Sequence, residues 1–365
     1  MDKTRILVVN PGSTSTKIAL FDDYNKVFSL NLDHEAEDLK KFKEVGEQLG
    51  YRTDVVAKTM ADNGYELSDV NIFVARGGGL IAIEGGVYEA DGLLVEHATI
   101  GMAGQHPAQL GSQIVRRYAD KFGGKAYVVN PPDVDELCDV ARVTGIKGIY
   151  RQSHLHALNQ REIALRFCRE RGINYGDTNI VVCHLGGGVS ITAHEKGRMI
   201  DTNDILKGAG PMTPTRAGDM AFVDVIKMAY SGEYTEKELI DKLNVNGGLT
   251  DHFGTADMRE VEKLMTDGDK YAEVIINGMI YQIAKYVGAM AVAMKGKVDA
   301  IILTGGIAHG KYTTGLVAEY VGWIAEVVVM PGEFELEALA GGALRVHRGE
   351  EELKAYTGNP VWNGF

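Results

Sequence analysis

Two short stretches place hydroxyls, glycines and charge directly after apolar runs. Asn10-Pro11-Gly12-Ser13-Thr14-Ser15-Thr16-Lys17 follows Ile6–Val9, and His184-Leu185-Gly186-Gly187-Gly188 follows Ile180–Cys183. Turns of this composition point backbone N–H groups inward, so each can cradle a phosphate, with the Ser13 and Ser15 hydroxyls as extra donors and Lys17 as a charge. A plain tight turn with exposed hydroxyls has the same signature, and one such turn alone favours that reading. A third glycine pair, Gly305-Gly306 after Ala300–Leu303, shifts the balance towards phosphate. Arg76 precedes Gly77–Gly79, and Arg216 lies in Pro214-Thr215-Arg216-Ala217-Gly218. Their planar guanidiniums suit bidentate binding of carboxylate or phosphate; a lone arginine is more often a solvated surface residue, and both readings stand on the residues alone. His154 and His156 form an HxH pair with no third ligand in reach, which disfavours zinc and leaves His156 a core or helix-start residue as the plain alternative.

The elements that must position these residues alternate in type. Ile6–Val9 and Lys17–Phe21 form a hairpin, and Ile180–Cys183 with Val189–His194 and Met199–Asp201 repeat the design. Aligning Ile6 with Ile180 sets Asn10 opposite His184, a weak internal repeat that suggests two related domains facing each other; two glycine-turned hairpins are also common in any α/β protein of this size. Helical patterns cover 35–63, 104–122, 153–171, 269–295 and 335–347, buried strands cover Asn71–Ala75, Ala126–Val129 and Ala300–Leu303, and a last strand covers Val327–Met330. This alternation predicts α/β layers, with a domain boundary in the Gly145–Gly148 region. Asn10, Arg76, Asn130, His184 and Gly305-Gly306 all fall just past the carboxyl end of a predicted strand, where open α/β sheets bind ligands. Neither a GxxxxGK[ST] loop nor a strand-linked GxGxxG is present.

Composition narrows the class. A chain of 365 residues predicts two domains. With 45% hydrophobic and 24% charged residues, disorder is excluded as the main state. The net charge of −12, with no basic patch, excludes a generic nucleic-acid or anionic-membrane binder; a few arginines in one cleft still allow small anions. The 45 glycines cluster instead of repeating, the mark of tight turns and close backbone approach. Cys138, Cys168 and Cys183 have no paired spacing, which fits a reducing compartment. The opening MDKTRILVVNPG is no signal peptide, and the most membrane-like stretch, between Lys285 and Lys295, is half the ~20 residues a span needs. The expectation is a cytoplasmic protein.

The segments VNPGSTSTK, RGGG with GGVYEADG, SHLHALNQ, CHLGGGVSITAHEKGRMID, GPMTPTRAG, TADMREV and LTGGIAHG run colinearly from Ile6 to about Arg348. Together they resemble the butyrate kinases of the acetokinase family, within the acetate and sugar kinase, Hsc70 and actin superfamily. The resemblance implies an α/β fold of two ribonuclease-H-like (actin-like ATPase) domains with mixed sheets facing each other across a nucleotide cleft. Residues 1–148 would form one domain, with a C-terminal helix over about 335–365 packing back on it, and 149–334 the other. It further implies reversible transfer of the γ-phosphoryl group of ATP to a short-chain carboxylate, with ATP/ADP and Mg²⁺ as cofactors and a homo-oligomer as the assembly. Position by position, Arg76, Arg216, His156 and His184 would be catalytic. Asn10, Ser13, Ser15, Lys17, Gly186, Gly187, Gly188, Asp257, Met258, Arg259, Gly305, Gly306 and Ala308 would bind nucleotide, and Glu335, more weakly Asn130, would serve the metal. Three positions depart from relatives: Asn130 stands where they carry Asp, Phe334 precedes Glu335 where acetate kinases carry Asn, and Gln152 replaces a Lys found in some. The expected consequence at Asn130 is activity with altered metal dependence, with Asp133 nearby to compensate. Acetate or propionate kinase, or a catalytically weak ATP-binding homologue, are the alternative readings.

Overall fold

Apolar strands of seven or eight residues joined by three-residue turns set up both halves of the molecule, a computed structural model that describes residues 3–365. In the first, β1 (Arg5–Pro11), β2 (Ser15–Asp22) and β3 (Asn25–Asp33) form an antiparallel meander, and β4 (Ile72–Ala75) and β6 (Lys125–Val129) extend it in parallel from the β1 side. Two short strands, β5 (Val87–Glu89) and β12 (Leu353–Lys354), complete the sheet order β12-β5-β6-β4-β1-β2-β3. In the second, β7 (Asn179–Leu185), β8 (Val189–Glu195) and β9 (Arg198–Thr202) form the meander, with β10 (Ala300–Thr304) and β11 (Glu326–Val329) parallel beyond β7. The orders β3-β2-β1-β4-β6 and β9-β8-β7-β10-β11 coincide, which is the ribonuclease-H-like plan expected from the resemblance, present twice. β3, β5 and β12 escape sequence reading: β3 is largely exposed and the other two are only two or three residues long.

The period of two along a strand decides what each face buries. On β1, Leu7 and Val9 pack with Ile18, Phe73 and Ile114 on one face, and Ile6 and Val8 pack with Phe21, Leu339 and Ala343 on the other. Helices Leu49–Asp62 and Leu110–Phe122 contribute to the first face, and helix Glu335–His347 covers the second. On the second sheet, Val181, Cys183, Val189, Ile191 and Leu303 face helix Lys270–Ala293 through Ile276, Ile280 and Ile283.

By contact the chain divides into two units. One holds the chain up to Asp135 with Ala157–Asn159 and Phe334–Phe365; the other holds Glu136–His156 and Gln160–Glu333. Segment 136–156 is laced to the second unit by polar bonds: Glu136 accepts the Met199 N–H, Cys138 N–H donates to the Ile200 carbonyl, and Arg151 pairs with Asp201. The 35–63 pattern is not one helix. Only 36–39 and 49–62 are α-helical, because Glu47 takes the Lys43 and Glu44 N–H groups on its carboxylate and starts a new turn. The pattern at 104–122 becomes α-helical only from Leu110, after a turn begun by Pro107 and capped by His106. Helix 335–347 stops well short of 365, where Gly349 takes a left-handed φ of 72°.

Adjacent glycines in that last helix give opposite expectations. A Cβ at Gly342 would stand 2.7 Å from Val129 Cγ1 in the packed core, whereas one at Gly341 would meet the tip of Arg345 at 3.3 Å and the Tyr24 ring at an ordinary 3.8 Å. Replacing helical Gly by Ala gains about 0.5–1 kcal/mol, and overpacking costs about 1–3. Urea unfolding of G341A should therefore show equal or higher stability than wild type, and G342A a loss of about 1–2 kcal/mol.

Candidate active site

In the first unit, β1, β4 and β6 are parallel neighbours, so Asn10, Arg76 and Asn130 come to one end of one sheet. Strand alternation puts Asn10 on the face of Ile6 and Val8, the face covered by the helix that begins at Glu335. Asn10 Nδ2 accordingly donates to Glu335 Oε2 at 3.1 Å. Arg76 Nη1 lies 3.9 Å from Glu335 Oε1, and its Nε is buried without a hydrogen-bond partner. Asn130 adopts φ 41°, a left-handed conformation that Asn tolerates. It exchanges two bonds with Gly86: its N–H donates to the Gly86 carbonyl at 2.9 Å, and its Oδ1 accepts the Gly86 N–H at 2.8 Å. The oxygen expected to serve a metal thus already holds a turn.

The hydroxyl turn has a brace that sequence reading missed. Arg52, fully buried on helix Leu49–Asp62, donates from Nη1 to the Ser15 carbonyl and Thr16 Oγ1, both at 3.0 Å, and from Nη2 to the Ser13 carbonyl at 3.2 Å. His34 bonds Thr16 Oγ1 at 2.8 Å and the Tyr51 hydroxyl at 3.2 Å. Burial and then the Arg52 charge lower its pKa to about 4. Burial, then the charges of Arg76 and Arg52, also lower His106. Ser13 and Lys17 are exposed and Ser15 is half-buried. Arg52 carried no sequence signal beyond being one charged residue in an amphipathic helix.

In the second unit, β8 alternates: Val189, Ile191 and Ala193 enter the core, and Ser190, Thr192 and His194 occupy the other face, all buried. His184 shares that face on β7 by the same parity. His156 sits at the start of helix Ala157–Arg171, and its ring stacks on His184 with centroids 3.9 Å apart and planes 18° apart. His156 Nδ1 lies 2.9 Å from Ser190 Oγ, which Gln160 Nε2 also reaches at 2.7 Å. His154 is spoken for, with Nδ1 2.9 Å from Asp204 Oδ1. The HxH pair therefore splits between two jobs.

Gly188 lies where a side chain could stand only if Arg216 moved. A Cβ there would collide with the guanidinium of Arg216, and one at Gly186 would come within 3.4 Å of His184 Nε2. The Arg216 loop is strapped to the same turn, since Thr213 and Thr215 hydroxyls donate to the Gly187 carbonyl at 2.7 and 2.9 Å. Arg216 Nε and Nη1 are buried without partners, and burial lowers its pKa. Gly305, at φ 89°, presses against the Leu185 backbone, and open space lies over Gly306. Other expected nucleotide residues have local duties. Asp257 caps helix Met258–Thr266 through the Arg259 N–H at 2.9 Å, and its carboxylate is lowered to about 2 by the Arg259 side chain at 2.5 Å. Met258 and Ala308 point into the core.

Among the described residues, no three His, Cys, Asp or Glu side chains cluster as a metal cage. Glu335 with the Asn10 amide is a one-carboxylate donor set. That fits Mg²⁺, which takes one or two carboxylates and completes its shell with phosphate and water.

The chain is 41% identical over 354 residues to butyrate kinase 2 of Clostridium acetobutylicum, covering 97% of this chain and 99% of that protein. It belongs to the acetokinase family. The acetokinase family profile matches residues 149–321, and the family's members are carboxylate kinases, phosphotransferases with a carboxyl acceptor. Solved structures share the fold. Porphyromonas gingivalis acetate kinase superposes with a TM-score of 0.75 at 18% identity, covering 94% of this chain and all of that one. A propionate kinase from Francisella tularensis gives 0.71 at 18%, covering 93% and 98%.

The Gly188 collision yields a direct test. Its backbone is open to alanine, since no positive φ is recorded there, and the atom in the way is the far end of a flexible side chain. G188A should keep the wild-type melting temperature, displace Arg216 and lower kcat/KM for acyl phosphate formation by about 100-fold. Parallel melting curves and steady-state rates would show it.

Proposed function

We propose that this acetokinase-family chain transfers the γ-phosphoryl group of ATP to a short-chain fatty carboxylate, butyrate or a branched C4–C5 acid, and runs reversibly. The observation that carries the reading is Arg216. A guanidinium with two buried, unpartnered nitrogens is held against a glycine turn beside two stacked histidines, an arrangement that calls for an anion. Whole-length similarity to a butyrate kinase supports the choice of acid.

The reaction asks little covalent work of the protein. A fatty acid is ionised at neutral pH, its pKa close to the ~4.3 of Glu, so its carboxylate attacks without a general base. The carboxylate oxygen–phosphorus bond forms as the bond from phosphorus to the leaving ADP oxygen breaks. Catalysis is then positioning and charge neutralisation. Arg76 and Arg216 would hold the carboxylate and the transferring phosphoryl, and His156 and His184 would donate to its oxygens. The turns at 10–17 and 184–190 would cradle phosphates with backbone N–H groups, the first stiffened by Arg52, and Gly305, Gly306 and the 257–259 segment would line the nucleoside. Mg²⁺, held by Glu335 and Asn10, would neutralise phosphate charge. No helix among the described residues is long and apolar enough to cross a membrane. The exposed Phe222, Ile226 and Tyr230 on and beside one helix support a homo-oligomer.

Two additional methylenes are worth about 1.6 kcal/mol, roughly fifteenfold, so selectivity over shorter acids is modest. With ATP and Mg²⁺, hydroxylamine trapping across straight and branched C2–C6 acids should peak at C4 or branched C4–C5. A peak at acetate or propionate would move the chain to the other kinases of its family, and silence with ATP still bound would make it a binder. In the same assay N130D should fold normally, because Asp also tolerates the left-handed φ and accepts the Gly86 N–H. Its added charge should lower the Mg²⁺ concentration for half-maximal rate, and an unchanged Mg²⁺ profile would remove Asn130 from the metal's surroundings.

A further inference from the structure

The hydrogen bonds behind His156 have a direction, which can be read from the one group that cannot change roles. The carbonyl oxygen of Ser190 only accepts, so the Gln160 atom 3.0 Å from it is the amide nitrogen. The amide oxygen of Gln160 then faces His194 Nε2 at 3.0 Å, and that ring nitrogen must carry a proton. His194 is fully buried and held neutral by burial, its pKa lowered to about 3, so its Nδ1 is bare and accepts from the Tyr175 hydroxyl at 2.8 Å.

On its other side Gln160 Nε2 lies 2.7 Å from Ser190 Oγ and donates its second proton there. The backbone N–H of His156 also points at Ser190 Oγ, at 3.4 Å. With two donors on its lone pairs, the serine has one proton left to give, and His156 Nδ1 stands 2.9 Å away. A second proton on Nδ1 would set two donors against each other in a site where Ser190 and Gln160 are both fully buried. The parallel stack with His184 at 3.9 Å opposes a charge on both rings as well.

We propose that Ser190, oriented by Gln160 and behind it by His194 and Tyr175, is a positioning residue that locks His156 as the neutral tautomer with its proton on Nε2. The inference rests on the proposed phosphoryl transfer only for what that proton meets. With Nδ1 committed to Ser190, His156 offers a donor, not a lone pair, to an oxygen of the transferring group, and needs no protonation beforehand. Ser190, Gln160, His194 and Tyr175 thus do for the histidine what backbone donors do for an oxyanion: they preset the dipole before charge arrives.

The test reads the tautomer itself. Full-length protein labelled with ¹⁵N-histidine at neutral pH, with His156 assigned by loss of its signals in H156N, should show an unprotonated, hydrogen-bonded Nδ1 and a protonated Nε2. In Q160E the acceptor-only carboxylate takes the Ser190 proton, so Ser190 becomes the acceptor and the His156 proton should move to Nδ1. The kcat should then fall by about 100-fold, with KM for ATP within about twofold. In S190A, Nδ1 should shift to the value of a nitrogen with no donor. A wild-type His156 protonated on Nδ1 would overturn the proposal, as would a Q160E protein that keeps both the Nε2 proton and the wild-type kcat. If either variant fails to fold, the wild-type spectrum still decides. The spectrum does not depend on which acid is the acceptor, so an error in the proposed substrate would leave it unchanged.

Discussion

The volume next to Gly188 belongs to a guanidinium, and much of the second unit follows from that exclusion. Arg216 comes so close to the turn that even one carbon would displace it. Position 188 must therefore be glycine for Arg216 to keep its place, and the Arg216 loop must be held in register with the turn. The Thr213 and Thr215 hydroxyls do so through the Gly187 carbonyl, and Gly218 and Gly248 let the loop close on itself where a Cβ would strike the backbone of Met212 and Thr213. A guanidinium placed this way, without a carboxylate, is unfavourable until an anion arrives. That uncompensated charge is what the proposed function satisfies with an anion.

The first unit meets the same requirement with different chemistry on the same five-strand plan. Its turn carries hydroxyls in place of three glycines, and its shape is maintained from beneath by Arg52, whose acceptors are two backbone carbonyls, a threonine hydroxyl and the Gln48 side chain. The positive charge is therefore not cancelled where it sits. Arg76, by contrast, faces Glu335, which Asn10 also engages. One acidic side chain at a helix start thus engages residues at two strand ends, and it is the carboxylate to which the proposed function assigns the metal. The duplicated plan determines where strand ends lie, while the residues beneath each turn determine its electrostatics.

Much of this was legible from the amino-acid order. The two hairpins, the strands that extend them, Arg76, His184 and the glycine pair at 305–306 show themselves through apolar runs that stop at polar or glycine residues; Arg216, in a loop, and His156, in an HxH pair, took their roles from the family resemblance alone. Arg52, Gln160 and His194 were not legible. Each is a polar residue within a helix or strand pattern, and local sequence cannot distinguish a buried polar group from a solvated one. The expected helix over 35–63 failed for a related reason: side-chain capture of backbone N–H groups by Glu47 interrupts a pattern whose apolar spacing alone looks continuous.

By itself, then, the order of residues determined the strands, their turns and the parity that sends Asn10 and His184 to a chosen face, because these depend on the local periods of the backbone. Its resemblance to known kinases supplied the family. Only the tertiary structure decided which polar residues lose water and whom they meet there: Arg52 under the hydroxyl turn, Arg216 beside Gly188, and Gln160 between Ser190 and His194. Those pairings join positions tens of residues apart, and their directions are set by donors and acceptors that must be matched once solvent is gone.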